Sequence, residues 1–205
     1  MFIGGFAQRS TPPNNEIPTT VPLIGCVSDM YHNYRKISIV PEEHSAQIGS
    51  CAIESPTFAS LIDTEKPVRP VDNKPSKESM KTCGGGFGSA VRDGNNAVRF
   101  GISKSSHSRV NFEGKQYPNI SDFQLSFSMR TEQPTGMIWV WANYKNFTRY
   151  FYLNLIDGYP VIEVKGRHPE PKILKNEDRR LDDGHWHDIV IIKKERELTM
   201  MVCIF

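Results

Sequence analysis

Apolar and polar side chains alternate with a period of two over residues 123–129, where Phe123, Leu125, Phe127 and Met129 interleave with Gln124, Ser126, Ser128 and Arg130. Successive side chains of a strand point to opposite faces, so this pattern predicts a strand with one buried side. Pro134-Thr135-Gly136 then turns the chain into Met137-Ile138-Trp139-Val140-Trp141, apolar on both faces and therefore expected in the middle of a sheet. Residues 150–155 predict the next strand, Asp157-Gly158 a hairpin turn, and residues 161–164 its return. Residues 165–180 are polar and basic and read as a loop. Beyond them, residues 188–194 are rich in Ile and Val, and residues 198–202 form a last strand. No window carries a helical stripe. Strands recurring about every ten residues predict an all-β, antiparallel jelly-roll sandwich.

The first 51 residues hold strand fragments among turns. Phe2-Ile3 is ended by Gly4-Gly5, residues 8–20 read as a loop around Pro12-Pro13 and Asn14-Asn15, and strand character returns over residues 21–31 and 37–39. These few apolar runs cannot close a core alone. Residues 52–82 place Pro56, Pro67, Pro70 and Pro75 among Ser, Lys, Glu and Asp, the composition of a semi-extended, flexible linker. The chain therefore divides into residues 1–51, a linker at 52–82, and residues 83–205.

Composition narrows the function classes. With 25 Lys and Arg against 23 Asp and Glu, the net charge of +2 implies no general affinity for nucleic acid. No run approaches the roughly 20 apolar residues of a membrane span, and the amino terminus has neither a charged leader nor an apolar core of signal-peptide length. Cys26 and Cys51 bracket the strands of the first segment, as partners or as two separate buried thiols, and the state of Cys83 and Cys203 is open. Asp183, His185 and His187 gather in Asp183-Gly184-His185-Trp186-His187. On a strand the two histidines would share a face, but zinc would need two further ligands that the surroundings do not offer. The structural reading is a turn at Asp183-Gly184 with Trp186 anchored in the core.

Taken together, several of these strings resemble the laminin G-like domain. The Asp183-Gly184-His185-Trp186-His187 string follows a strand at 150–155 and an Asp157-Gly158 hairpin as it does in that family. Phe100-Gly101-Ile102-Ser103-Lys104-Ser105-Ser106-His107 is similar to the first strands of the fourth G domain of laminin α chains. Phe2-Ile3-Gly4-Gly5 and Leu23-Ile24-Gly25-Cys26-Val27 resemble late strands of the preceding domain. The resemblance covers residues 1–51 and 83–202. It makes the first segment the end of one G domain and the last segment the start of another, with Cys203-Ile204-Phe205 standing where the family continues into an Asp-Gly hairpin. Each segment lacks strands that the other supplies, so the two are expected to pack as one permuted, incomplete sandwich.

The resemblance implies a non-enzymatic adhesion module, extracellular and secreted into basement membrane. Its partners would be cell-surface receptors of the integrin or dystroglycan class, heparan sulfate-like glycans, and other laminin chains in the full-length protein. It also implies a Cys26–Cys51 disulfide, which would close a loop worth about 3 kcal/mol. No cofactor is expected. Calcium is used in the family, but Arg149 stands where the first acidic ligand belongs, so the site around Asn146 and Arg149 reads as degraded. Asn119 and Asn146 head glycosylation acceptors. Lys165, Arg167, Lys172, Lys175, Arg179 and Arg180 form a candidate glycan-binding rim, diluted by interspersed acids. Two alternatives remain: a G-domain module of an agrin-, perlecan- or neurexin-like protein, and, from another class, a jelly-roll carbohydrate-active enzyme. The enzyme would need two carboxylates flanking a cleft, whereas the strands carry lone acids such as Glu163 and Asp188.

Overall fold

The computed structural model describes residues 1–6, 21–39, 48–51, 97–103, 106–110, 122–142, 149–166 and 170–203. The linker at 52–82, Arg167, and both acceptor asparagines, Asn119 and Asn146, lie outside them. In chain order the strands are β1 (Phe2–Ile3), β2 (Gly25–His32), β3 (Arg35–Lys36), β4 (Gly49–Ser50), β5 (Val98–Phe100), β6 (Ser108–Arg109) and β7 (Phe123–Thr131). There follow β8 (Gly136–Ala142), β9 (Tyr150–Ile156), β10 (Tyr159–Lys165), β11 (Lys172–Lys175), β12 (His187–Lys194) and β13 (Glu197–Cys203). Among the described residues there is no helix.

The strands form two antiparallel sheets. One runs β11-β10-β9-β8-β1-β6; the other runs β13-β12-β7-β2-β5-β4, with β3 pairing β2 off that path. Thus β1 lies between β8 and β6, and β2 between β7 and β5: residues 1–51 enter the interior of both sheets. Phe2 pairs with Val140 on one side and Arg109 on the other, while Val27 pairs with Met129 and Val98.

The core between the sheets follows from the alternation. Phe123, Leu125, Phe127 and Met129 of β7 enter it together with Val27 and Met30 of β2 and Ile189 and Ile191 of β12. From the facing sheet come Ile3, Ile138, Trp139, Phe151, Leu153, Leu155 and Ile162. Fully burying such a side chain is worth about 1.5–3 kcal/mol, so this layer dominates stability. A ring contact fastens the two sheets, with Phe123 edge-on to Phe151 at 5.3 Å between centroids. Ile138 and Trp139 both reach the core because the β8–β9 register shifts between Met137 and Trp139, a bulge that turns the strand. On the other face of the six-stranded sheet, Phe2, Phe6, Met137, Val140, Tyr150 and Tyr152 make a second buried cluster.

Three expectations differ from the structure. The stretch 165–180 is not loop throughout, since Lys172–Lys175 pair with β10 as β11. In place of a strand at 37–39, β3 forms at Arg35–Lys36, because Asn33 and Tyr34, both at positive φ, make a tight two-residue turn after His32. Ile37 and Ile39 still reach the core, from outside the ladder. Trp186 is half-buried and sits on the outer face, against Cys26, Cys51 and Ala97, while His187 is the inward residue.

Candidate functional site

The turn leading into β12 is built by one carboxylate. Asp183 Oδ1 accepts the His185 backbone N–H at 2.9 Å, closing a local side-chain turn. Gly184 at φ 77° carries the chain through it. The same oxygen lies 2.7 Å from His187 Nε2. A carboxylate only accepts, so His187 donates from Nε2. His187 is 1% exposed, and its Nδ1 is buried without a hydrogen-bond partner among the described residues. His185 is the opposite case: its side chain is 82% exposed, with Nδ1 3.6 Å from Asp183. The two histidines therefore do not share a strand face. His185 precedes β12, and only His187 belongs to it. Among the described residues no group of three or more His, Cys, Asp and Glu side chains is arranged to hold a metal ion.

Burial by itself would raise the Asp183 carboxyl. The His187 hydrogen bond, the His185 N–H and the nearby imidazoles outweigh it and leave the carboxyl below its ordinary value of 3.8. A carboxylate with a depressed folded value contributes stability above its unfolded value, and that stability is lost as the pH falls through the folded one. We therefore predict that stability falls on acidification below about pH 4, and that Asp183→Asn flattens this limb. Asparagine keeps an acceptor for both donors but has no charge to titrate. Urea midpoints measured between pH 2 and 7 test this; parallel curves for the two proteins would remove Asp183 from the acid response.

The basic residues after the hairpin fall on the edge of the six-stranded sheet. Period two along β10 sends Tyr159, Val161, Glu163 and Lys165 to one face. Lys175 Nζ lies 4.9 Å from the Tyr159 ring centroid and 2.7 Å from Glu177 Oε1. The Arg180 guanidinium stands 6.0 Å from the same ring and binds Asp182 through two nitrogens, at 3.0 and 2.6 Å. The Glu177 hydrogen bond raises the Lys175 ammonium, the Asp182 pairing raises the Arg180 guanidinium, and the Arg180 hydrogen bond in turn lowers the Asp182 carboxyl. Lys165 is at the far end of β10, 5.9 Å from the Tyr150 ring centroid, whereas Lys172 pairs with Val164 and so points to the other face of the same edge. At about 3.3 Å per residue, Tyr159 and Lys165 are roughly 20 Å apart. The structure thus splits the candidate rim: Lys175 and Arg180 stand at one end of this face and Lys165 at the other, while Lys172 occupies the opposite face of the same sheet edge. Arg179 is exposed and directly precedes Arg180.

The remaining candidates resolve separately. Cys26 and Cys51 are joined, with Cα atoms 6.1 Å apart, and Cys203 is disulfide-bonded as well. Arg130 lies 5.5 Å from the Trp186 ring, which rests on the Cys26–Cys51 bridge. Arg149 is exposed at the start of β9. The two strand acids are engaged internally: Glu163 accepts from the Tyr150 hydroxyl at 2.5 Å, and Asp188 accepts from Ser128 Oγ. They also belong to different sheets. Tyr159 was not a candidate from the sequence, although its place two residues before Val161 on the Glu163 and Lys165 face was readable there.

Comparison with known proteins adds a partial family match. Residues 129–204 match the model of the Laminin G domain family. "Laminin subunit alpha" of Drosophila melanogaster is 27% identical over 79 residues, which are 38% of this chain and 2% of that protein. Among solved structures, the mouse laminin alpha1 chain, domains LG4-5, is similar at 25% identity with a TM-score of 0.35, over 38% of this chain and 20% of that one. The chain thus spans a small part of the relatives it matches.

Proposed function

We propose that this chain, whose residues 129–204 carry a Laminin G domain sequence, is a non-enzymatic adhesion module of the extracellular matrix. The family match is the observation that supports the reading. Its partners would be cell-surface receptors and sulfated glycans, with the sheet edge that carries Lys165, Lys172 and Lys175, together with Arg179 and Arg180, as the glycan contact. Polyanions suit a strip rather than a pocket, because repeated sulfates meet cations spaced along an edge. Lys175 and Arg180 are partly neutralised by Glu177 and Asp182, so the weight of the interaction would fall on Lys165, Lys172 and Arg179.

Reversing those three to glutamate is expected to weaken binding to immobilised heparin roughly tenfold, at around 0.5 kcal/mol per exposed charge, and to move elution to lower salt. Unchanged elution would remove the strip from the reading. With Arg149 in place of an acidic ligand, binding is also expected to be unaffected by EDTA. Release of reducing sugar from a glucan by the purified chain would overturn the non-enzymatic reading altogether.

A further inference from the structure

Residues 1–51 and 97–203 meet only through non-covalent strand pairing and packing at the described positions, yet each completes the other. β1 fills the place between β8 and β6, and β2 the place between β7 and β5. Gly4 donates to Ile138 O at 2.9 Å, while Thr131 Oγ1 donates to Ile24 O at 2.6 Å. Ser108 Oγ donates to Ile39 O at 2.8 Å. The Cys26–Cys51 bridge lies wholly within the first segment and so does not tie it to the rest. The connection leaves at Cys51 and returns at Ala97, whose carbonyl accepts the Cys51 N–H at 3.3 Å. The linker at 52–82 alone would reach roughly 100 Å if extended, several times the width of a small domain.

From these features we infer that residues 1–51 form an exchangeable half, and that two copies of this chain assemble by reciprocal insertion of that half into each other's sandwich. The exchanged dimer makes the same pairs, Phe2 with Val140 and Val27 with Met129, as the closed monomer. The difference between the two forms is therefore confined to the connection and the concentration. Exchange requires both sheets to open at their middle, so it occurs while the chain is folding or partly unfolded, and the dimer then persists.

The register supplies a direct test. A Cβ placed on Gly49 lies 3.9 Å from the Arg99 Cβ, within the range for a disulfide, and meets only the flexible end of Ile102 more closely. Gly49→Cys chains and isotopically labelled Arg99→Cys chains are unfolded together, refolded at rising concentration, oxidised and mapped by mass spectrometry. The double variant G49C/R99C, in one chain at low concentration, reports the register itself. The expected result is an intrachain 49–99 bridge in the double variant, and a mixed dimer bridged 49–99 whose share rises at least fivefold over a tenfold increase in concentration. Light scattering of the refolded natural sequence should show a matching dimer that survives dilution. An intrachain bridge without a mixed dimer would overturn the proposal. So would homodimeric 49–49 linkage as frequent as 49–99, which signals chance collision, or absence of the bridge in the double variant, which removes the register on which the exchange rests.

Discussion

Replacing Gly4 by alanine is expected to lower the unfolding free energy by about 3 kcal/mol, the sum of a left-handed backbone cost near 1–2 kcal/mol and an overpacking cost of 1–3 kcal/mol. Gly4 sits at φ 75°, where a side chain is strained whatever the space around it. The space is also missing, because an added Cβ would lie 2.1 to 2.7 Å from three atoms of the Phe100 ring. That ring is fully buried, so it can yield only by displacing its core neighbours. Backbone movement is blocked as well, since Gly4 is held on both sides, by Ile138 at 2.9 Å and by Leu23 at 2.8 Å. Urea unfolding of Gly4→Ala beside the natural sequence measures the loss. Adding Phe100→Leu should return part of it, the steric share, and leave the backbone share. An unchanged midpoint would contradict the position of β1 between β8 and β6.

The second large effect is expected from removing the Cys26–Cys51 bridge. Cys26→Ala together with Cys51→Ala should cost about 3 kcal/mol, chiefly by freeing the unfolded chain. The two positions are 25 apart in sequence. The double substitution is the proper experiment because reductant would also attack the disulfide at Cys203. A further share comes from the native state, where Cys26, Cys51 and Ala97 form one buried cluster with Trp186 packed against it. A loss below about 1 kcal/mol would mean that the segment is already as restricted without the bridge as with it.

Much of the sandwich could be read from residue order alone. β7, β8, β9 and β10 follow the alternation because one or both faces are buried, and burial is what alternation encodes. β11 escaped because its four residues, Lys172 to Lys175, are short, charged and flanked by proline, and gain their order from Tyr159–Lys165 beside them. β3 escaped because the Asn33-Tyr34 turn, rather than the Ile37 and Ile39 alternation, sets where the ladder forms. Trp186 was assigned inward on apolarity, yet the parity of Ile189 and Ile191 already sends His187 inward and Trp186 outward. In the candidate site, the gathering of Asp183, His185 and His187 was visible in the sequence. Their division into one exposed imidazole and one buried imidazole sharing a single carboxylate oxygen was not, because it depends on where the strand begins.

The pairing of Phe2 with Val140 also sets the order of events in folding. The β9–β10 and β12–β13 hairpins close between near neighbours, on the microsecond scale typical of such turns. Insertion of β1 and β2 must wait for contacts between residues far apart in the chain, from Val27 with Val98 to Phe2 with Val140, which topologies of this kind reach in milliseconds to seconds. During that interval the flanks of β8 and β7 present unpaired backbone to any neighbouring chain. Recovery of soluble protein after dilution from urea is therefore expected to fall as protein concentration rises, and supplying residues 1–51 as a separate peptide in excess should protect the yield.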